Sequence, residues 1–437
     1  MDQFDYVIIG GGTAGSVIAG RLAEDPGTSV CVLEAGPPDR NIFIHIPAGF
    51  MKTFVNPALN WMYETEPSPA TGDRIIAAPR GKTLGGSSSI NGHIYSRGQR
   101  ADYDTWAQQG NSGWGFSDVL PYFKRAERRV GTGDDTFRGR NGCLTVTDID
   151  WSHPLCEAFI AGANGLGIPS NQDYNGARQD GVSYTQRIIH KHRRVSAYRA
   201  YLHQRRSQAN IDIRTNALAS RILLKDMRAT GVRYLQDDRE IELSARREVI
   251  LCGGTVNSPQ LMQLSGIGPG TLLRNFGIDL VHELPGVGEN LRDHFPVRIT
   301  AHVKNSQTIN ELSRGLPLAS EIFKYFTGQP SILALAPTLV YVFWRSHEAM
   351  DNGDIQVSFT PASYKDGVQN ILDEHPGMSI AAWQQRPNSR GHIRICSVDP
   401  REKPLIQPNY LAEESDRKIL FSAIRLGQRI LRSPEMA

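Results

Sequence analysis

The stretch "DYVIIGGGTAGSVIAGRLAED", residues 5–25, constrains the fold more than any other part of the chain. An apolar run, 6–9, enters Gly10-x-Gly12-x-x-Gly15, and a helical pattern follows through Val17, Ile18 and Leu22. A second apolar run, 30–33, ends in Glu34, 19 residues after Gly15. Strand, glycine turn, helix, strand and acid, in that order and spacing, describe a dinucleotide-binding βαβ unit. Gly10 permits the tight turn out of the strand. Gly12 leaves the backbone open to a pyrophosphate, and Gly15 lets the helix close on the sheet. The phosphates are expected at the positive helix end, near the N–H groups of Thr13 and Ala14, with Glu34 on a ribose hydroxyl. A glycine turn in an ordinary α/β protein is the alternative. The motif alone does not separate FAD from NAD.

Length and charge narrow the rest. The 437 residues suit two or three domains. With 48 Lys+Arg against 45 Asp+Glu, nothing global favours nucleic acid or an acidic membrane surface. No apolar run of the roughly 18 residues a membrane span needs occurs. The start, "MDQFDYVIIG", is acidic and runs into a strand, unlike a secretory signal. The expectation is a cytoplasmic protein with no membrane and no nucleic-acid partner. Cys31, Cys143, Cys156, Cys252 and Cys396 are widely spaced and form no CxxC. That argues against a disulfide framework and against any metal site. Buried inert thiols are expected at Cys31 and Cys252.

Residues 85–98, "GGSSSINGHIYSRG", are small and polar. A linker would read so, but Leu84 and Ile90 and ordered-looking flanks argue against one. "GKTLGGSSSIN", 81–91, and "GTVNSPQLMQLSGIG", 254–268, resemble the two signature motifs of the glucose-methanol-choline (GMC) oxidoreductases. "PGVGENLRDH", 285–294, and "SRGHIRICSVDPREKPLIQPNYL", 389–411, resemble further motifs of that family. The resemblance runs from residue 4 to the end of the chain.

The resemblance implies an α/β (α+β overall) architecture. It would hold a Rossmann-like FAD-binding domain, 1–145 with 195–300, and a sheet-based substrate-binding domain, 150–194 with 301–437. It implies FAD held without a covalent bond, because Ile90 stands where covalent members carry histidine. In the family the 85–98 loop runs beside the flavin. Gly85, Gly86 and Gly92 would then keep the backbone close to the ring, and Ser87, Ser88, Ser89 and Asn91 would offer hydrogen bonds. Thr83, His93 and Ile94 join the expected cofactor set. So does Ala219 of "TNALASRILL", 215–224, the strand that passes the adenine, where the family usually has valine.

The implied activity is oxidation of a small-molecule alcohol by hydride transfer to flavin N5, with oxygen or another acceptor taking the electrons. The family's base is a histidine partnered by histidine or asparagine. Those motifs are expected beyond Ala437, which leaves the catalytic residues of this chain unassigned. Little or no alcohol turnover is expected from the chain by itself. A catalytically inactive flavin-binding protein and a non-redox relative such as a hydroxynitrile lyase are the other readings. His294, His347, His375 and His392 read as structural, packing or surface residues.

Several coarser expectations follow from pattern. Strands over 331–345 and 354–360 would floor a pocket, and 256–264 reads as a helix. That helix starts directly after the strand-like "VILC" and offers a second end to a phosphate or flavin. Residues 134–142 read as a surface loop or a lid, and 190–206 as a solvated cationic helix. A last helix, 416–431, would leave Ile419, Leu420, Ile424 and Leu431 exposed.

Overall fold

The computed structural model describes residues 2–365 and 371–437. Its first sheet runs in the order Ile211–Arg214, Val30–Leu33, Asp2–Ile9, Arg239–Leu251, Arg228–Gln236, Leu218–Lys225. The first four strands are parallel and the last two antiparallel. Val30–Leu33 is an unbroken apolar run because both of its faces are covered. Ile8, Val30 and Val32 pack under helix Thr13–Leu22 with Ala19 and Leu202. Val7, Ile9, Cys31 and Leu33 point the other way, against Val232, Tyr234, Leu243 and Leu261. The period of two in a strand thus builds two core layers from one short segment.

The second sheet is antiparallel throughout, in the order Val297–His302, Gly377–Gln384, Ile355–Thr360, Val340–Trp344, Gly181–Tyr184. Val340, Val342, Val357, Phe359, Ile380 and Ala382 face helices Pro154–Gly165 and Glu414–Leu431. Gly427 allows that closeness, since a Cβ there would meet Ile380 Cδ1 at 2.2 Å. Burying one such aliphatic side chain stabilises by about 1.5–3 kcal/mol. Tyr341, Phe343, Gln356 and Trp383 occupy the opposite face and stay available to a cavity.

Four expectations change. Only Val340–Trp344 of 331–345 is strand, and Ile332–Ala334 is a 3-10 turn. Ser331 caps that turn, its Oγ accepting from the Leu333 N–H at 3.2 Å, and Pro337 cannot donate to a ladder. Residues 190–206 are not a solvated helix. Ile189–His190 and Arg193–Arg194 form a hairpin, a π-helical turn follows at Tyr198–Leu202, and Arg194 is buried. The 134–142 loop is anchored, because buried Arg138 pairs with Glu127 and Asp173. The last helix turns its apolar face inward: Leu420 is buried, and Ile419, Ile424 and Leu431 pack on the sheet's core.

Among the described residues no helix is long and apolar enough to cross a membrane. Nor does any group of three or more His, Cys, Asp or Glu among them stand ready to hold a metal ion.

Candidate cofactor cleft and active site

At the carboxyl ends of the parallel strands lies a cavity of about 390 Å³. Gly10, Gly12, Thr13, Ala14, Glu34 and Ala219 all line it. Two helices begin at its edge. Helix Thr13–Leu22 follows Gly12, and helix Gly254–Leu264 follows Gly253, and neither start carries a side-chain cap. Their first N–H groups are therefore left for another acceptor. A Cβ on Gly12 would find its nearest neighbour, Gly86 Cα, 3.7 Å away, and a Cβ on Gly254 would meet nothing within 4 Å. The space beside both glycines is a cradle that a side chain would fill. That cradle, two uncapped helix starts and Arg80 among the lining residues fit a pyrophosphate.

Glu34 is 5% exposed. The Gly11 and Gly36 N–H groups each donate to its carboxylate at 2.9 Å. Burial outweighs these bonds and pushes the carboxyl up to about 7. Each oxygen accepts one of these bonds and keeps capacity for a further donor.

Gly15 serves the packing, since a Cβ there would sit 1.9 Å from Gly10 O. Thr83, Gly85 and Ser89 form a layer behind the cavity. The Thr83 hydroxyl donates to Pro37 O at 2.8 Å, and Gly85 N–H donates to Gly11 O at 2.8 Å. The small residues of this loop answer to protein contacts. A Cβ on Gly85 would strike Ser89 Oγ at 2.3 Å, on Gly86 the Gly12 Cα at 2.7 Å, and on Gly92 the Pro337 ring at 2.7 Å. The Ser88 and Ser89 hydroxyls are likewise spent, donating to Gly85 O at 2.6 Å and Leu84 O at 2.7 Å. Ser87 is the serine of this group that reaches the cavity wall.

Beyond Ile90, which is buried, the loop turns toward a buried cation. Arg194 donates to Ile44 O, Ser88 O and Asn91 Oδ1 at 3.0, 3.2 and 2.8 Å. Burial pulls its guanidinium down to about 9. His93 is buried with Nε2 at 3.3 Å from Leu335 O. Burial, helped by Arg194, holds its imidazole well below the usual range. His93 thus stays neutral.

Ile94 opens on a second cavity of about 430 Å³, floored by Tyr341, Phe343, Gln356 and Trp383. His294, read from sequence as structural, lines it too, with Nε2 at 2.8 Å from Gln385 O. The 85–94 loop therefore joins two cavities, with Ser87 at the first and Ile94 at the second.

The sequence reading missed Trp61, Arg80 and Cys252 in the first cavity. Trp61 arrives there because its N–H donates to Arg80 O at 2.9 Å, beside the bridge of Asn60 to Gly81. No local pattern marks that pairing.

Two GMC oxidoreductase family profiles match the chain, over residues 4–296 and 387–437. The chain belongs to the GMC oxidoreductases. It is an FAD flavoenzyme that oxidises the CH–OH group of an alcohol. It is 38% identical to an alcohol dehydrogenase [acceptor] of Pseudomonas putida, over 100% of this chain and 79% of that one. It is 38% identical to an oxygen-dependent choline dehydrogenase of Escherichia coli, over 99% of this chain and 79% of the relative. The crystal structure of pyridoxine 4-oxidase from Mesorbium loti superposes with a TM-score of 0.89 at 28% identity, covering 99% of this chain and 81% of that one. This GMC oxidoreductase therefore pairs a Rossmann-like sheet with a second, antiparallel sheet.

Proposed function

We propose that this GMC oxidoreductase holds FAD without a covalent bond, its adenosine diphosphate in the first cavity and its ring along the 87–94 loop. The observation that carries the reading is the convergence of two uncapped helix starts, open glycine backbone and a buried carboxyl on one cleft. In it Gly12, Thr13 and Ala14 bind phosphate through N–H groups, Glu34 accepts from ribose hydroxyls, and Ala219 flanks the adenine. Ile90, buried and without a nucleophilic atom, supports dissociable flavin. Bound FAD supplies the acceptor for the electron pair of the alcohol's C–H bond. The alcohol sits in the second cavity, where Ile94 and the aromatic floor orient it and exclude water. The cofactor unit comprises 1–145 and 195–300, and the substrate unit 150–194 and 301–437. Five free cysteines suit a reducing, cytoplasmic setting.

Acid precipitation of the purified yellow protein tests this directly. The expected result is one FAD per chain, released whole into the supernatant. Colour that stays with the pellet, or protein that binds no flavin, would overturn it. Aldehyde formation from a primary alcohol, with oxygen and an artificial acceptor compared, then identifies the electron acceptor.

A further inference from the structure

On the reading of the second cavity as the alcohol site, we propose that Trp383 and Gln385 select an uncharged aromatic alcohol that carries a ring hydroxyl, and that quaternary ammonium alcohols are turned away. The floor of the cavity is a row across three strands. Phe343 pairs with Gln356, and Gln356 with Trp383. Tyr341, two residues before Phe343, stands edge-on to both Phe343 and Trp383, with ring centres at 5.5 and 6.2 Å. Such a wall suits a planar ring.

Trp383 and Gln385 lie two apart at the end of strand Gly377–Gln384, and both line the cavity. Each carries a buried polar atom with no partner: Trp383 Nε1, a donor, and Gln385 Oε1, an acceptor. Buried polar groups are nearly always satisfied, so two orphans on one wall point to a ligand that supplies the partners. A single phenolic hydroxyl does both, accepting from the indole N–H and donating to the amide oxygen.

The charges of the wall argue against a cationic substrate. Asp102 is the lining carboxylate, and both its oxygens are taken, by Arg386 Nε at 2.5 Å and Gln99 N–H at 2.7 Å. Arg97, the other lining cation, is held by Glu127 at 2.7 Å and Phe137 O at 2.7 Å. A trimethylammonium group would gain contact with the aromatic row, but it meets two lining guanidiniums against a single, already paired carboxylate, and it brings neither an N–H for Gln385 nor an acceptor for Trp383. The relatives include a choline dehydrogenase and a pyridoxine 4-oxidase, so the family chemistry leaves both directions open and the wall decides.

Calorimetric titration of the FAD-loaded protein with 4-hydroxybenzyl alcohol, benzyl alcohol and choline tests the proposal. The hydroxylated ring is expected to bind roughly tenfold more tightly than benzyl alcohol, the value of one well-made hydrogen bond, and choline at least about tenfold more weakly than either. Trp383→Phe and Gln385→Leu should each erase most of the hydroxyl preference, and Gln385→Glu should bring choline binding up. Choline binding as tight as that of the ring alcohols in the wild type would overturn the proposal. So would a hydroxyl preference unmoved in both Trp383→Phe and Gln385→Leu. Flavin content measured on the same samples separates the two claims. A selective cavity in protein that holds no FAD would sink the cofactor reading alone, and an unselective cavity in FAD-loaded protein would sink the selectivity alone.

Discussion

Gly86 is pressed against Gly12: a Cβ on Gly86, whose φ is +53°, would lie 2.7 Å from the Gly12 Cα. Two glycine clusters more than seventy residues apart thus touch back to back, and they fail differently when mutated. Gly86→Ala forces backbone apart in a left-handed conformation and should destabilise by about 1–3 kcal/mol. Gly12 has ordinary φ and an open side, so Gly12→Val should leave the melting temperature of flavin-free protein within roughly 2 °C of wild type. It should nonetheless bind no FAD, because the branch fills the cradle. Flavin stoichiometry and thermal melts of both variants check the contrast, and a Gly12→Val protein with full FAD would refute it.

The ion-pair network under the 127–142 segment gives a second contrast. Glu127 is buried between Arg97 and Arg138, both nearly without solvent contact. Glu127→Gln leaves buried Arg97 without a carboxylate and Arg138 with Asp173 alone, and should cost about 3–5 kcal/mol. Asp135, exposed and paired only with half-exposed Arg140, should cost no more than about 1 kcal/mol when changed to alanine. Urea midpoints at neutral pH distinguish the two.

The parts legible in the sequence are those whose causes are local. The turn from Gly10 to Gly15 and the acid at Glu34 are fixed by spacing within one βαβ unit. The period of two over 355–360, Ile, Val and Phe against Gln, Ser and Thr, marks a strand, whereas 340–344 is apolar throughout and shows its cavity face only in the fold. The unbroken apolar stretch before them carries no such alternation, and its turn depends on Ser331 and Pro337. The 85–98 loop misleads for another reason. Its hydroxyls look free for a ligand, yet Ser88 also accepts from the Ala197 N–H at 2.9 Å, a partner 109 residues away. Arg194 reads as a surface cation and is buried by acceptors from Ile44, Ser88 and Asn91, three positions that only the fold brings together.

The cysteines provide an internal probe of the cleft. Cys143 and Cys396 are exposed and should react with a maleimide within minutes. Cys31 and Cys156 are buried, and burial pushes the Cys31 thiol up to about 12, so both should label only on unfolding. Cys252 is half-buried on the wall of the first cavity. Its labelling in flavin-free protein should slow at least about tenfold when FAD is added, as solvent access to the thiol is lost. Mass spectrometry of timed samples reads each site, and equal Cys252 rates with and without FAD would place the nucleotide elsewhere.

Glu34 makes stability and flavin affinity depend on pH in opposite senses. Its carboxyl is raised to about 7 in the folded protein, against an ordinary value of 4.5. A raised carboxyl contributes stability that is present in full below about 4.5 and is lost as pH climbs through about 7, because the unfolded chain ionises first. Flavin-free protein should therefore lose on the order of 3 kcal/mol across that window, and Glu34→Gln should flatten the loss. A ribose hydroxyl donating to Glu34 favours the ionised form, so FAD should bind more tightly as pH rises from about 6 to about 8. Urea midpoints across pH 5–8 and flavin-fluorescence titrations across pH 6–8 measure the two slopes. An FAD affinity that ignores pH in the wild type would remove Glu34 from the ribose.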